Sequence, residues 1–343
     1  MYLLDETPDR KCIIDDKEFL FFSGYSYLGM NHVKDFRKYV KEGIDKYGVL
    51  YPSSRISNTR LKLYEKLESA LSALTRMPDT VSFSSGFLAG KTISSLLSSD
   101  QKIFVAPGTH PAINIASDEN KSFSNFQEWQ HFIVEMINNS DGNGFLLAAD
   151  SVNILSAQIN DFSFLKNINP DKNITVLIDD SHGIGILGKT GQGIISQIPK
   201  KENIEYIICY SLSKAFNIEG GAVSCSKHWA EKLREHPNYT GSTAINPSLI
   251  HAFLKSNKLY SKQRKKLLKN IACIKKLLPN YLRSHDFPIP VFICESPEAE
   301  ILFYKKGIII SSFGYPDPTS KKINRVVINA LHTKKDIKKL CAA

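Results

Sequence analysis

The sequence predicts an α/β fold, a mostly parallel sheet flanked by helices, with a smaller α+β C-terminal domain. Two observations predict it. Between residues 80 and 226 the apolar runs TVSFSS, KIFVA, GFLLAA, ITVLIDD, EYIICYS and GGAVSCS alternate with helical or loop segments. Runs that are apolar throughout, rather than at every second position, belong to strands covered on both faces. Near Asn246 the pattern changes to a long helical stretch and then a mixed tail. A chain of 343 residues can bury one large core and a smaller one.

In chain order, helical periodicity at 33–47 and 61–74 precedes the alternating region. A helical region at 247–278 follows it, then PVFICE, a helix near 297–305, GIIISSF, RVVINAL and a last helix. The expected division is an N-terminal segment 1–50, a large domain 51–245 and a small domain 246–343. The N-terminal segment should pack against the small domain or against a second subunit.

Composition narrows the functional classes. Hydrophobic residues at 42% and charged residues at 23% describe an ordinary soluble globular chain. No long uncharged apolar segment is present, and the opening MYLLDETPDRKC has acids where a signal peptide needs basic residues. A cytoplasmic protein without membrane contact is expected. The six cysteines contain no CxxC pair, so no metal site and no disulfide framework is expected, only buried small apolar residues. The net charge of +10 resides partly in KQRKKLLK (262–269) and TKKDIKKL (333–340). Their leucines and isoleucine at helical spacing make them solvated faces of amphipathic helices rather than a nucleic-acid surface.

Three stretches carry chemistry. In FSSGFLAGKTISSLL (83–97) a strand leads through Ser-Ser-Gly into a helical pattern. That junction offers free N–H groups and a helix dipole to a phosphate, and is equally an ordinary capped turn. In IDDSHGIGILGKTGQG (178–193) Asp179 ends a strand and His182 follows three residues on. A carboxylate there can hold a protonated ring nitrogen and an imidazole can bond a nearby oxygen; alone, a turn-capping aspartate and a satisfied core histidine explain them as well. In CYSLSKAFNIEGGAVSCS (209–226) Lys214 sits in a hydroxyl-rich turn between two apolar strands. A partly buried amine there has the character of a Schiff-base lysine, although a lone strand-end lysine is usually solvated. In this order the three sites supply what pyridoxal 5′-phosphate needs: a phosphate cradle, a partner for the ring nitrogen, and an amine for the aldehyde.

The spacing of Asp179, His182 and Lys214 resembles that of the aspartate-aminotransferase-like pyridoxal phosphate enzymes of fold type I. Within them the chain is most similar to the α-oxoamine synthases. The resemblance rests on YLG (27–29), SSRISNTRLKLYEKLESALSAL (53–74), FSSGF (83–87), DDSHGIGILGKTGQG, SLSKAF (211–216) and GSTAINP (241–247). It implies that Lys214 holds the cofactor and later moves the α-proton, that Asp179 pairs with the ring nitrogen, and that His182 bonds the phenolic oxygen. His110, in APGTHPAIN, matches the histidine stacked on the ring; Gly86, Phe87 and Ser211 match phosphate-side positions. Thr243 falls where the partner subunit contributes, so a homodimer with shared sites is implied. Arg325 matches the arginine that grips the substrate carboxylate. The glycines of 183–193 are expected to turn the chain closely around the cofactor site.

The reaction implied is a decarboxylative condensation of an amino acid with an acyl thioester, best matched by the biotin-route members that use L-alanine and a pimeloyl thioester such as pimeloyl-CoA. An aminotransferase or another amino-acid lyase on the same fold is the second reading, and a non-catalytic protein of that fold the third. Departures from the family pattern fall at GVLYPSSR, where Leu50, Tyr51 and Pro52 replace a glycine-rich stretch, and before YLG, where Tyr25 and Ser26 stand instead of an asparagine. In DSVNILSAQIND (150–161) a polar group near the ring is missing or replaced by Ser151 or Asn153.

Overall fold

The computed structural model describes residues 2–97, 101–119, 121–315 and 317–343. The chain opens with a hairpin of β1 (Lys11–Ile14) and β2 (Lys17–Phe22). Asp15 and Asp16 join them at φ 48° and 60°, the left-handed pair that a two-residue type I′ turn requires. Helices α1 (Lys34–Tyr47) and α2 (Lys62–Thr75) come next. The alternating region then runs β3 (Asp79–Phe83), α3 (Gly86–Leu96), β4 (Lys102–Val105), α4 (Phe126–Asn138), β5 (Gly144–Asp150), a small hairpin of β6 (Val152–Asn153) and β7 (Gln158–Ile159), β8 (Asn173–Asp179), β9 (Ile204–Ser211) and β10 (Gly221–Cys225). After it come α5 (Lys227–Glu235), α6 (Pro237–Thr240), α7 (Pro247–Lys255), α8 (Asn257–Leu277), β11 (Val291–Cys294), α9 (Ala299–Lys305), β12 (Ile308–Gly314), β13 (Lys322–Val327) and α10 (Lys334–Cys341).

Each of the six apolar runs forms one strand of a central sheet ordered β3-β10-β9-β8-β5-β4. β4, β5, β8 and β9 run parallel, and β10 is antiparallel to both of its neighbours. Alternate side chains enter different cores, as the two-residue period of a strand demands. Phe145, Leu147 and Ala149 of β5 face one layer with Val176 and Ile178 of β8. Leu146 and Ala148 face the other layer with Leu177, Ile207 and the α3 residues Ala89 and Ile93. Both faces being covered explains why these strands carry no polar alternation.

The second sheet is ordered β1-β2-β12-β13-β11. Its N-terminal hairpin joins through a parallel pairing of β2 with β12, a partner almost three hundred residues away. The expected single helical stretch at 247–278 is two helices instead. Ser256, fully buried, stands at the junction of α7 and α8, and its N–H closes the last turn of α7 on the Phe253 carbonyl. α7 also packs on α1 at Gly43, where a Cβ would stand 2.7 Å from the Ser248 backbone, so the helices meet only because that residue is glycine. No described helix is long and apolar enough to cross a membrane.

Candidate active site

The carboxyl ends of the parallel strands bring the chemistry together, as expected for a doubly covered sheet. Asp150 at the end of β5 lies in register with Asp179 at the end of β8, which is in register with Cys209 of β9. Three residues past β9 stands Lys214. These groups open onto a cavity of about 200 Å³ whose walls include His110, Asp179, His182, Lys214 and Arg325. Tyr25, Asp150, Asn153, Ile154, Phe313 and Tyr315 complete much of the lining. Five residues that the sequence singles out thus converge on one space.

Their geometry is definite. The Lys214 amine lies 2.9 Å from Nε2 of His182, whose Nδ1 lies 2.7 Å from the Tyr27 hydroxyl. His110 Nδ1 approaches Asp179 Oδ2 at 3.8 Å, and Asp179 Oδ1 accepts the Ser181 N–H at 2.8 Å. Asp150 accepts the His110 N–H at 3.0 Å. Burial lowers the Lys214 pKa against the opposing pull of Asp179 and Asp150. Burial, then the charges of Lys214 and Arg325, hold His182 far below the ordinary imidazole range. Burial and the neighbouring Asp179 charge push Asp150 well above the carboxylate range. The site therefore favours an uncharged imidazole and a less readily charged amine beside a carboxyl that resists ionisation.

Arg325 reaches the cavity from β13. It is 0% exposed; Nη2 donates to the Tyr25 hydroxyl at 2.5 Å and Nη1 to the Ile154 carbonyl at 3.2 Å. The Tyr25 turn is held by Asn217, three residues past Lys214, whose Oδ1 accepts from Ser26 Oγ at 3.0 Å and the Met30 N–H at 2.8 Å.

The glycines of 183–193 have a different role from the one expected. None of them lines the cavity, and the first and last, Gly183 and Gly193, close on the second carboxylate, Asp180, while Gly185 packs on Ala215 and Phe216. A Cβ on Gly183 would stand 1.9 Å from Asp180 Oδ1, and one on Gly193 1.8 Å from Oδ2. Oδ2 accepts the Ile194 N–H at 2.9 Å, and burial pushes the Asp180 pKa up to about 7. The two ends of the loop thus enclose the buried acid that follows Asp179.

Gly86, Phe87, Ser211 and Thr243 do not line this cavity. Gly86 begins α3 against the end of β9, where a Cβ would meet the Ser211 Cβ at 2.8 Å; Phe87 is 53% exposed. Ser211 Oγ lies 2.7 Å from Ser213 Oγ, next to Lys214. Thr243 is exposed. Of the two substitutes for a polar ring neighbour, Asn153 lines the cavity while Ser151 is wholly buried elsewhere. Leu50 is exposed, and Tyr51 lines a separate cavity of about 180 Å³ with Arg55, Arg60 and Arg234.

Sequence reasoning missed Asp150, Tyr25 and Tyr27 as site residues. Asp150 ends an apolar run just as Asp179 does, and that signal could have found it. Among the described residues no group of three or more His, Cys, Asp or Glu side chains is placed to share a metal ion.

Comparison with known proteins agrees with this architecture. The family model described as aminotransferase class I and II matches residues 18–343. The putative 8-amino-7-oxononanoate synthase of Methanococcus vannielii is 30% identical, covering 98% of this chain and 94% of its own. The 8-amino-7-oxononanoate synthase of Lysinibacillus sphaericus is 26% identical, with 96% and 89% covered. Among solved structures, the serine palmitoyltransferase of Sphingomonas wittichii superposes with a TM-score of 0.82 over 99% of this chain and 90% of that one, at 17% identity, and so shares the fold. The chain belongs to the aminotransferase class I and II family, within the α-oxoamine synthase branch of its pyridoxal-phosphate-dependent enzymes.

Proposed function

We propose that the protein is an acyltransferase that condenses L-alanine with pimeloyl-CoA, with loss of carbon dioxide, as an 8-amino-7-oxononanoate synthase of biotin biosynthesis. The observation that carries this reading is the convergence of Lys214, Asp179, His182 and Arg325 on one cavity in a chain whose relatives at 24–30% identity bear that name.

The residues fit pyridoxal phosphate. Lys214 is an enclosed amine without a carboxylate ion pair among the described residues, and its lowered pKa makes the neutral form that attacks a carbonyl easier to reach. Asp179 offers a carboxylate oxygen to a ring nitrogen. The start of α3, where only glycine fits at position 86, offers backbone N–H groups to a phosphate. When bound, the cofactor supplies an electron sink for charge developing on the substrate α-carbon.

This chain's residues do the rest. Lys214 takes the α-proton and returns one later, with His182 positioning its amine at 2.9 Å. Arg325 receives the substrate carboxylate, and His110 covers the ring face. As part of the same reading the protein is a cytoplasmic homodimer, and the exposed Thr243 serves the partner's phosphate.

Incubation of the holoenzyme with L-alanine and pimeloyl-CoA tests the proposal through release of free thiol. Alanine-dependent thiol release is expected. Pyruvate formation without thiol would replace this reading with the aminotransferase one.

A further inference from the structure

Arg325 is a buried cation without an anion. It is 0% exposed, no carboxylate lies within ion-pair distance among the described residues, and its two acceptors, the Ile154 carbonyl and the Tyr25 hydroxyl, are both neutral. Its Nε–H is buried and has no partner. A guanidinium stays charged at any working pH, and burying it uncompensated is costly. The group is therefore poised for an anion that comes and goes.

Tyr25 is the neighbour that decides how the anion is held. Its oxygen accepts from Arg325, which leaves its own O–H proton free to donate, and Tyr25 lines the same cavity. Its ring lies edge-on to His182 at 5.3 Å and 5.8 Å from the Lys214 amine. Tyr25 therefore bonds the arginine and lies beside the amine and the imidazole, the three groups that a bound amino acid must satisfy. The Phe313 ring also packs on the guanidinium, 4.6 Å from its carbon.

We propose that Tyr25 is a substrate-positioning residue: its hydroxyl, seated on Arg325, donates to the amino-acid carboxylate, and its ring limits the side chain accepted beside Lys214 to one about the size of alanine. Arg325 supplies the charge and Tyr25 the direction. This proposal rests on the amino-acid half of the reading above and needs nothing from the acyl donor.

The test is titration of the holoenzyme by its visible absorption, which reports amine binding at Lys214 without any acyl transfer. L-alanine, L-norleucine and ethylamine, which is alanine without its carboxylate, are the probes. Tyr25→Phe is expected to weaken L-alanine about tenfold or more, the range for a hydrogen bond to a charged group, and to change ethylamine less than about twofold. Tyr25→Ala is expected to reduce the preference for L-alanine over L-norleucine about tenfold, as enlarging an apolar pocket does. Equal weakening of alanine and ethylamine, or none, would overturn the proposal, as would an unchanged preference in Tyr25→Ala. A protein that shows the Tyr25 effects yet releases no thiol overturns only the acyltransferase reading. One that releases thiol with alanine binding unchanged in Tyr25→Phe overturns only this proposal.

Discussion

The Lys214 amine and the His182 imidazole stand 2.9 Å apart, with the far nitrogen of that ring 2.7 Å from the buried hydroxyl of Tyr27. The imidazole is thus pinned from both sides, and burial with the nearby cations keeps it from charging. A neutral ring can pass or hold a proton beside the lysine, whereas a charged one would repel it.

Removing the outer pin should show its value. Tyr27→Phe leaves the packing of a wholly buried ring in place and deletes one hydrogen bond. We expect kcat to fall about tenfold, the worth of one such bond, with the KM for alanine nearly unchanged. A fall in kcat matched by ethylamine binding too weak to measure would show that the hydroxyl holds the site's structure instead.

Asp179→Asn tests the proposed pairing of Asp179 with the ring nitrogen. The amide oxygen can still accept the Ser181 N–H, so circular dichroism should be unchanged. The loss of a charge facing a developing charge should lower kcat by about 10²-fold or more. Activity within severalfold of the parent would remove Asp179 from that role.

Gly193→Ala tests the wrapping of Asp180. The residue has φ +84°, and a Cβ would lie 1.8 Å from Asp180 Oδ2. Backbone strain and the displaced buried carboxylate together should cost about 3 kcal/mol, read as a lowered denaturation midpoint. A Gly144→Ala control, where a Cβ meets nothing closer than 3.8 Å, should cost much less.

His332 gives a pH dependence remote from the cavity. It stacks on Phe22 at 4.1 Å, accepts the Asn329 N–H at Nδ1, lies 3.0 Å from the Phe21 carbonyl at Nε2, and burial lowers its pKa to about 4. Between about pH 6.5 and 4 the unfolded chain binds a proton there that the folded chain refuses, so stability falls as pH falls. The advantage of the parent over His332→Gln should therefore shrink across that window, by about 1.4 kcal/mol per pH unit at most. A gap independent of pH would contradict the assignment.

The central sheet was legible because strands buried on both faces leave an unbroken apolar run, as at GFLLAA and EYIICYS. The edge hairpin β1–β2 was not, since its stability comes from pairing with β12, a contact no local pattern encodes. Asp179, His182 and Lys214 could be picked out because each lies at or just past a strand end and because their order and spacing resemble a known pattern. Tyr25 and Phe313 could not, because what brings them to Arg325 is the register of β12 with β13 and the turn held by Asn217. The glycines misled for a related reason. Sequence shows that 183–193 must turn tightly, and only the fold shows that its end glycines, Gly183 and Gly193, close on Asp180.

The most direct test of the account is borohydride reduction of the protein reconstituted with pyridoxal phosphate, followed by peptide mapping, with Lys214→Ala alongside. The account predicts a single reduced cofactor adduct on the peptide carrying Lys214, absent from the variant, and loss of trapping when L-alanine is added first. An adduct on another lysine, or equal trapping in the variant, would contradict it.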